Sequence, residues 1–322
     1  MQKFNKYNLL EDKMQVGVIK PLYPFEKRVA ILPNDVISSY NHLVIERGFG
    51  SSLGIEDIDY AKRGCEILTR DQIFAECEAI FCLKLLQPED YDKLRTNQLI
   101  VGWTHPTGSG TEFFNNIAVP LGLLIVDLDN INPSLYYRDK KIPIPWIPRD
   151  FIRGNSVMAG VCATLHALIS YGYYPNSYTN VAILAPGNVS QGAYQLISKF
   201  NCNIRLFYRK TMDQFFDTIV DYDIIINGIE VDQPDLHIIN KEQLKKLKKG
   251  TLIIDAAADA GNAIEGTHYT NIGDPIYEED GIAFYEVNNA PTILYRESSK
   301  IISESLSKWV FSHDFKEFYQ LI

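Results

Sequence analysis

The sequence carries neither a disulfide framework nor a metal signature. Its five cysteines, Cys65, Cys77, Cys82, Cys162 and Cys202, are odd in number and include no C-x-x-C spacing. Runs such as AIFCLKLL treat Cys as a small hydrophobe, so a reducing, cytoplasmic compartment is expected. Apart from His105, the histidines are His42, His166, His237, His268 and His313, and none has the spacing of a metal site. No G-x-S-x-G elbow, Walker A loop or H-E-x-x-H occurs. No apolar run reaches the roughly 18 residues of a membrane span, and MQKFNKYNLLEDK has no signal-peptide core. Residues 1–13 read as a flexible leader ahead of Met14, where the apolar pattern begins. Positive charge is scarce as well: 31 Lys and Arg against 40 Asp and Glu give a net charge of -9, which excludes a phosphate-backbone partner. Lys241–Lys249 reads as a solvated surface helix with Leu244 and Leu247 on its buried side.

What is present is an α/β pattern. At 322 residues, 46% hydrophobic and 22% charged, the chain has room for two globular domains. Strands are expected at 15–20, 42–47, 79–85, 98–103 and 123–129, with a helix opening near Pro33 and Asn34 as its cap. Residues 130–155, with Pro143, Pro145 and Pro148, read as an extended connector, and Ser156 as the cap of a long helix that Gly172 closes. A second series follows, with strands at 180–185, 203–208, 223–228 and 251–258 alternating with helical stretches. Residues 297–322 read as an amphipathic helix returning to the first domain. The expected architecture is therefore α/β, with two Rossmann-like doubly wound domains and a cleft between them: 14–150 plus 291–322 for substrate and catalysis, and 155–290 for nucleotide.

Residues 181–200, VAILAPGNVSQGAYQLISKF, form the best local motif. A Gly-rich turn between a buried strand and a helix lets backbone N–H groups face a pyrophosphate. In this chain the turn departs from G-x-G-x-x-G. Ala185 holds its first position, Gly187 the second and Ser190 the third, with Asn188 and Val189 between and Gly192 two residues further on. The next strand ends without the acidic residue that would hold a ribose 2′-hydroxyl. Tyr208, Arg209, Lys210 and Thr211 follow it instead, and Arg209 suits a 2′-phosphate, so NADPH/NADP+ is the expected cofactor. Asn227, Gly228 and Ile229 end another strand on the expected ligand edge, where Gly228 would let the backbone approach the nucleotide.

The chain resembles the alanine dehydrogenase / saccharopine dehydrogenase superfamily and, more closely, is similar to its N5-(carboxyethyl)ornithine synthase family. The resemblance rests on KPLYPFEKRVAILP, GFGSSLGI, AIFCLKLLQPEDY, GWTHPTGSG, NVSQGA, YRKTM, DIIINGIE and KKGTLIIDAAADAGNAIEGTH. It implies reductive condensation of pyruvate with the side-chain amine of ornithine or lysine, using NADPH. It also implies that Arg28 binds the substrate carboxylate, that Lys84 and His105 are catalytic, and that the catalytic Asp259 lies near the nicotinamide. One departure separates the chain from alanine dehydrogenases: Leu86 stands where they carry a lysine.

The residue chemistry agrees with that assignment. A guanidinium holds a carboxylate in plane through two hydrogen bonds, which fits Arg28. An imidazole exchanges protons near neutrality, which fits His105. Lys84 shares the proton work if its neighbours lower its pKa, or polarises the keto oxygen if it stays charged. The partners expected are a 2-oxo acid and a basic amino acid, with no nucleic acid, membrane or metal, in a homo-oligomer. Two rival readings remain open: an amino-acid dehydrogenase using ammonia, and a non-catalytic nucleotide-binding regulator.

Overall fold

The computed structural model describes residues 13–231 and 236–322, so the expected leader, apart from Lys13, lies outside the described residues. The chain divides into two compact units, one running up to Ile152 and resuming at Tyr295–Ile322, the other Arg153–Leu294.

The first unit is built on β1 (Met14–Ile19), β2 (Asn41–Glu46), β3 (Glu66–Leu68), β4 (Ala79–Cys82), β5 (Leu99–Gly102), β6 (Leu124–Asp127), β7 (Ser134–Tyr137) and β8 (Lys140–Pro143). Their order is β3-β2-β1-β4-β5-β6-β7-β8, and the first six are parallel. AIFC, LIVG and LIVD in β4–β6 are fully buried, as strands covered on both faces must be. Short helices α1 (Asp57–Ala61), α2 (Arg70–Glu76), α3 (Thr111–Phe113) and α4 (Val119–Leu121) lie between the strands, and Thr69 and Gln72 cap α2 reciprocally.

Two local expectations are corrected here. Residues 130–155 are no simple connector: β7 and β8 pair antiparallel and extend the sheet, with Pro143 tolerated because it closes an edge strand. Asn34 caps nothing. It lies inside a single 3-10 turn, Pro33–Asp35, preceded by Leu32.

The second unit opens on α5 (Arg153–Ser170), three residues before the expected cap Ser156. It continues with β9 (Asn180–Leu184), α6 (Asn188–Ile197), β10 (Asn203–Phe207), α7 (Met212–Asp217), β11 (Ile224–Asn227), α8 (Lys241–Leu244) and β12 (Leu252–Asp255). The small pair β13 (Ala260–Gly261) and β14 (Ile264–Glu265) precedes the hairpin β15 (Ile276–Glu279) and β16 (Ile282–Tyr285). The main sheet runs β10-β9-β11-β12-β16-β15, antiparallel only at β15. The Lys241–Lys249 run is helical only through Leu244, although Leu247 is buried. Helices α5 and α6 cross closely because both carry glycine at the contact. A Cβ on Gly160 would stand 1.8 Å from the Val189 carbonyl, and one on Gly192 1.9 Å from that of Val157.

The chain then returns to the first unit through α9 (Tyr295–Leu306) and α10 (Lys316–Tyr319). Phe311, Phe315 and Phe318 are fully buried in that unit's core, worth roughly 1.5–3 kcal/mol each. Both units are thus Rossmann-like α/β folds, the first discontinuous. Each has a switch in strand order, at β1/β4 and at β9/β11, where ligands of such sheets bind beyond the carboxyl ends of the strands.

Candidate active site

In the first unit, three loops leaving the sheet bring the expected residues together. The loop after β1 carries Arg28, which is buried and paired with the equally buried Glu26: Nε donates to Oε1 at 2.8 Å and Nη2 to Oε2 at 2.6 Å. Helix α9 holds this loop from behind. The Val29 amide donates to Ser299 Oγ at 2.9 Å and the Leu32 amide to Ser303 Oγ at 2.8 Å. Lys84 lies two residues beyond β4 rather than inside an apolar strand, its Nζ 4.9 Å from the centre of the Tyr23 ring. His105 follows β5, and its Nε2 is 3.1 Å from Asp129 Oδ2, just past β6.

The backbone at His105 is left-handed, with φ of +42°, which costs about 1–3 kcal/mol in a non-glycine residue. Asp127 fixes it: its buried Oδ1 accepts from the amides of Thr104 and His105 at 3.2 and 3.3 Å.

These groups shift one another. Burial draws the Lys84 ammonium below its ordinary range, the Arg28 charge adds to that, and Asp129 and Glu26 only partly oppose it. For His105 the balance is reversed. Burial favours the neutral ring, but the hydrogen bond and charge of Asp129 outweigh it and hold the imidazole above its usual value. Burial would raise Asp129, yet His105, Lys84 and Arg28 together keep it below the carboxylate range. Glu26 is likewise held low by Arg28 against its burial. A lysine pushed down beside a histidine pushed up is an arrangement suited to proton transfer in both directions. For Arg28 the picture differs from a waiting guanidinium fork: Glu26 occupies the Nε–Nη2 edge, and a two-point grip on a substrate along that edge requires Glu26 to give way.

In the second unit the turn after β9 departs from the glycine pattern in a physically readable way. Ala185 has φ of +75°, a conformation natural to glycine, while its amide donates to the Phe207 carbonyl at 2.9 Å. Gly187 is exposed, and a Cβ there would meet nothing within 4 Å, so the N-terminus of α6 is open to a phosphate. Asn188 and Val189 form its half-buried first turn. Ser190 fills the third position by donating from Oγ to the Leu184 carbonyl at 2.7 Å. Gly192 serves the α5–α6 crossing instead.

After β10, Tyr208, Arg209 and Lys210 are all exposed, in a turn closed by the Tyr208 amide on Thr211 Oγ1 at 2.9 Å. Among the described residues neither cation has a carboxylate partner within ion-pair distance. The exposed cations and the open helix end fit the phosphates of a nicotinamide nucleotide. Gly228 has a packing role as well: its missing Cβ makes room for Ser190, whose Oγ would lie 2.1 Å away. Asn227 accepts from the Ile229 amide at 3.0 Å and donates to Asp255 Oδ1 at 2.9 Å. Asp259, past β12, is buried and accepts from the Val231 amide at 2.7 Å and from Asn262 Nδ2 at 2.8 Å.

The sequence reading missed Glu26, Asp127 and Asp129. The signal for Asp129 was present, since LIVDLD leaves a carboxylate at a strand end beside the one bearing His105. Among the described residues no group of His, Cys, Asp and Glu could hold a metal ion, and no helix is long and apolar enough to cross a membrane.

Comparison with known proteins agrees with the fold of both units. Residues 17–120 match the alanine dehydrogenase/PNT N-terminal domain and residues 177–321 its C-terminal domain. An N(5)-(carboxyethyl)ornithine synthase of Clostridium botulinum is 56% identical, over 95% of this chain and 96% of the relative. One of Lactococcus lactis is 48% identical, over 96% and 99%. A solved L-alanine dehydrogenase superposes with a TM-score of 0.76 at 18% identity, covering 95% of this chain and 92% of the other, and so shares the fold. The chain belongs to the N(5)-(carboxyethyl)ornithine synthase family of oxidoreductases, built from alanine dehydrogenase/PNT domains that depend on a pyridine nucleotide.

Proposed function

We propose that the protein joins pyruvate to the side-chain amine of L-ornithine or L-lysine, using NADPH. The 2-oxo acid, the amine, NADPH and a proton give the N-(carboxyethyl) amino acid, NADP+ and water. Bound NADPH supplies the hydride. The observation that carries the reading is the Lys84–His105–Asp129 cluster, with the lysine held low and the histidine held high.

Lys84, as a neutral amine, takes the proton that frees the substrate amine for attack on the keto carbon. His105, as an imidazolium, protonates the carbinolamine hydroxyl so that water leaves and the C=N bond forms. Asp129 engages Nε2, which makes Nδ1 the transferring atom. Arg28 provides positive charge for the 2-oxo acid carboxylate, and Asp259 orients groups beside the nicotinamide.

The choice of NADPH is supported by Arg209 and Lys210 after β10, where no acidic side chain would repel a 2′-phosphate. The choice of a large amine is supported by the names of the relatives at 56% and 48% identity. The test is a cofactor-oxidation screen of 2-oxo acids against amines with the product's mass measured. Oxidation with pyruvate is expected only with ornithine or lysine. Equal oxidation with ammonium, giving alanine, refutes the amine assignment, and faster oxidation of NADH refutes the cofactor assignment.

A further inference from the structure

Three polar side chains form a row across the carboxyl edge of the second sheet. Asn227 is opposite Asp255 in the β11–β12 register. The β12–β16 register ends at Ile254 and Tyr285, so the next residues, Asp255 and Glu286, are neighbours on the same face. All three are fully buried.

Asp255 is well supplied with donors. Asn227 Nδ2 donates to its Oδ1 and the Asp259 amide to its Oδ2, both at 2.9 Å. Glu286 is not. Both of its carboxyl oxygens are buried, and among the described residues no N–H or O–H is in hydrogen-bond geometry with either. The Thr267 hydroxyl lies beside Glu286 and, if turned toward it, opposes its protonation, but its one proton is directed to the Ile264 carbonyl at 2.9 Å. What remains within reach is the Asp255 carboxyl, and two carboxyls can hydrogen-bond only if one holds a proton.

The surroundings decide which one. The charges acting on Glu286 are the carboxylates of Asp255 and Asp259, and its other titratable neighbours are the phenols of Tyr269 and Tyr277. Burial first, then the Asp255 charge, holds the Glu286 carboxyl well above the ordinary range. Two carboxylates cannot both ionise in such a place, and the one already accepting two N–H bonds is the natural anion.

We propose that Glu286 is a positioning residue, a carboxylic acid that donates its proton to Asp255. Through it, the acid fixes Asn227 and the Asp259 loop at the nucleotide edge. Asp255 is the hub, tied to β11 through Asn227 and to the 256–262 loop through the Asp259 amide, and Asp259 in turn holds the Val231 amide. The role rests on the nucleotide assignment made above, but the proton on Glu286 does not.

The experiment therefore has two arms. Infrared difference spectra of wild type and Glu286→Gln near neutral pH should show the C=O stretch of a buried protonated carboxyl in the wild type alone. Its absence overturns the proposal whatever the reaction catalysed. In the second arm, Glu286→Ala strips Asp255 of the carboxyl donor and leaves only its two N–H donors. This should weaken nucleotide binding or lower kcat by roughly ten- to hundredfold, the scale of a lost hydrogen bond to a charged group, with KM for the 2-oxo acid unchanged. Glu286→Gln still offers an N–H and should restore most of the loss. A folded Ala variant with wild-type kcat and nucleotide affinity, or a Gln variant as impaired as Ala, overturns the positioning role. If the Ala variant does not fold, the infrared comparison and the Gln variant's nucleotide affinity decide.

Discussion

Replacing Asp129 by Asn keeps the shape of the His105 partner and removes its charge. The contact is 3.1 Å long, and the two side chains keep 30% and 24% of their exposure, so water and salt screen part of it. A hydrogen bond between charged groups is worth about 1.5–3 kcal/mol, and screening places this one near the lower end. Because Asp129 raises the His105 pKa, its loss must lower it. The alkaline fall of kcat, which follows loss of the imidazolium proton, should begin at lower pH in Asp129→Asn than in wild type. The stability effect has a defined window. A carboxylate held low contributes in full above its unfolded pKa of about 3.9 and loses that as pH falls through its lower folded value, and a histidine held high contributes in full below its unfolded pKa of about 6.5 and loses that as pH rises through its higher folded value. Wild type should therefore exceed the variant between those limits and lose the advantage at higher pH. NMR titration of the His105 ring, with the kcat profile by nucleotide absorbance, measures both. An unchanged His105 midpoint in Asp129→Asn would refute the reasoning, because Asp129 is the largest of the influences that raise that ring, ahead of the Asp127 charge.

Three further outcomes follow from the same structure. Arg209→Ala should raise KM for NADPH about tenfold, the loss of one exposed charge-assisted contact, and leave KM for NADH unchanged; equal shifts for both nucleotides in steady-state assays would count against a 2′-phosphate contact. His105→Ala should lower kcat by roughly 10²–10⁴-fold with folding intact by circular dichroism, and normal turnover would remove it from the chemistry. Ala185→Gly relieves a left-handed alanine, and after the greater freedom of unfolded glycine is offset it should add about 0.5–1 kcal/mol in urea unfolding; a loss of stability would contradict the strain.

Much of the fold was legible because parallel strands buried on both faces read as unbroken apolar runs, and AIFC, LIVG, LIVD and LIID are of that kind. The two hairpins were harder to read. Proline and tyrosine in 130–155 masked β7 and β8, while the Asp280-Gly281 step between IYEE and IAFY was a readable hairpin signal that went unused. In the site, Lys84, His105 and Arg28 were singled out through the family resemblance, and their residue types suit the roles it implies, but their partners were not legible. Asp129 is defined by which strand ends are neighbours, and Glu26 by the local fold of the loop that also carries Arg28, so a carboxylate in a sequence does not announce the cation it meets. Gly228 and Gly192 show a role that the motif alone does not: both make room for close packing, against Ser190 and Val157.

The central claim is that reduction forms a C–N bond to a side-chain amine, and a competition with labelled cofactor tests it most directly. NADPH carrying deuterium at the transferable position is supplied with pyruvate, L-ornithine and an excess of ammonium in one reaction, and the products are read by mass. The account predicts one deuterium on the methine carbon of N-(carboxyethyl)ornithine and none in alanine. Deuterated alanine with unlabelled, unconsumed ornithine would contradict it.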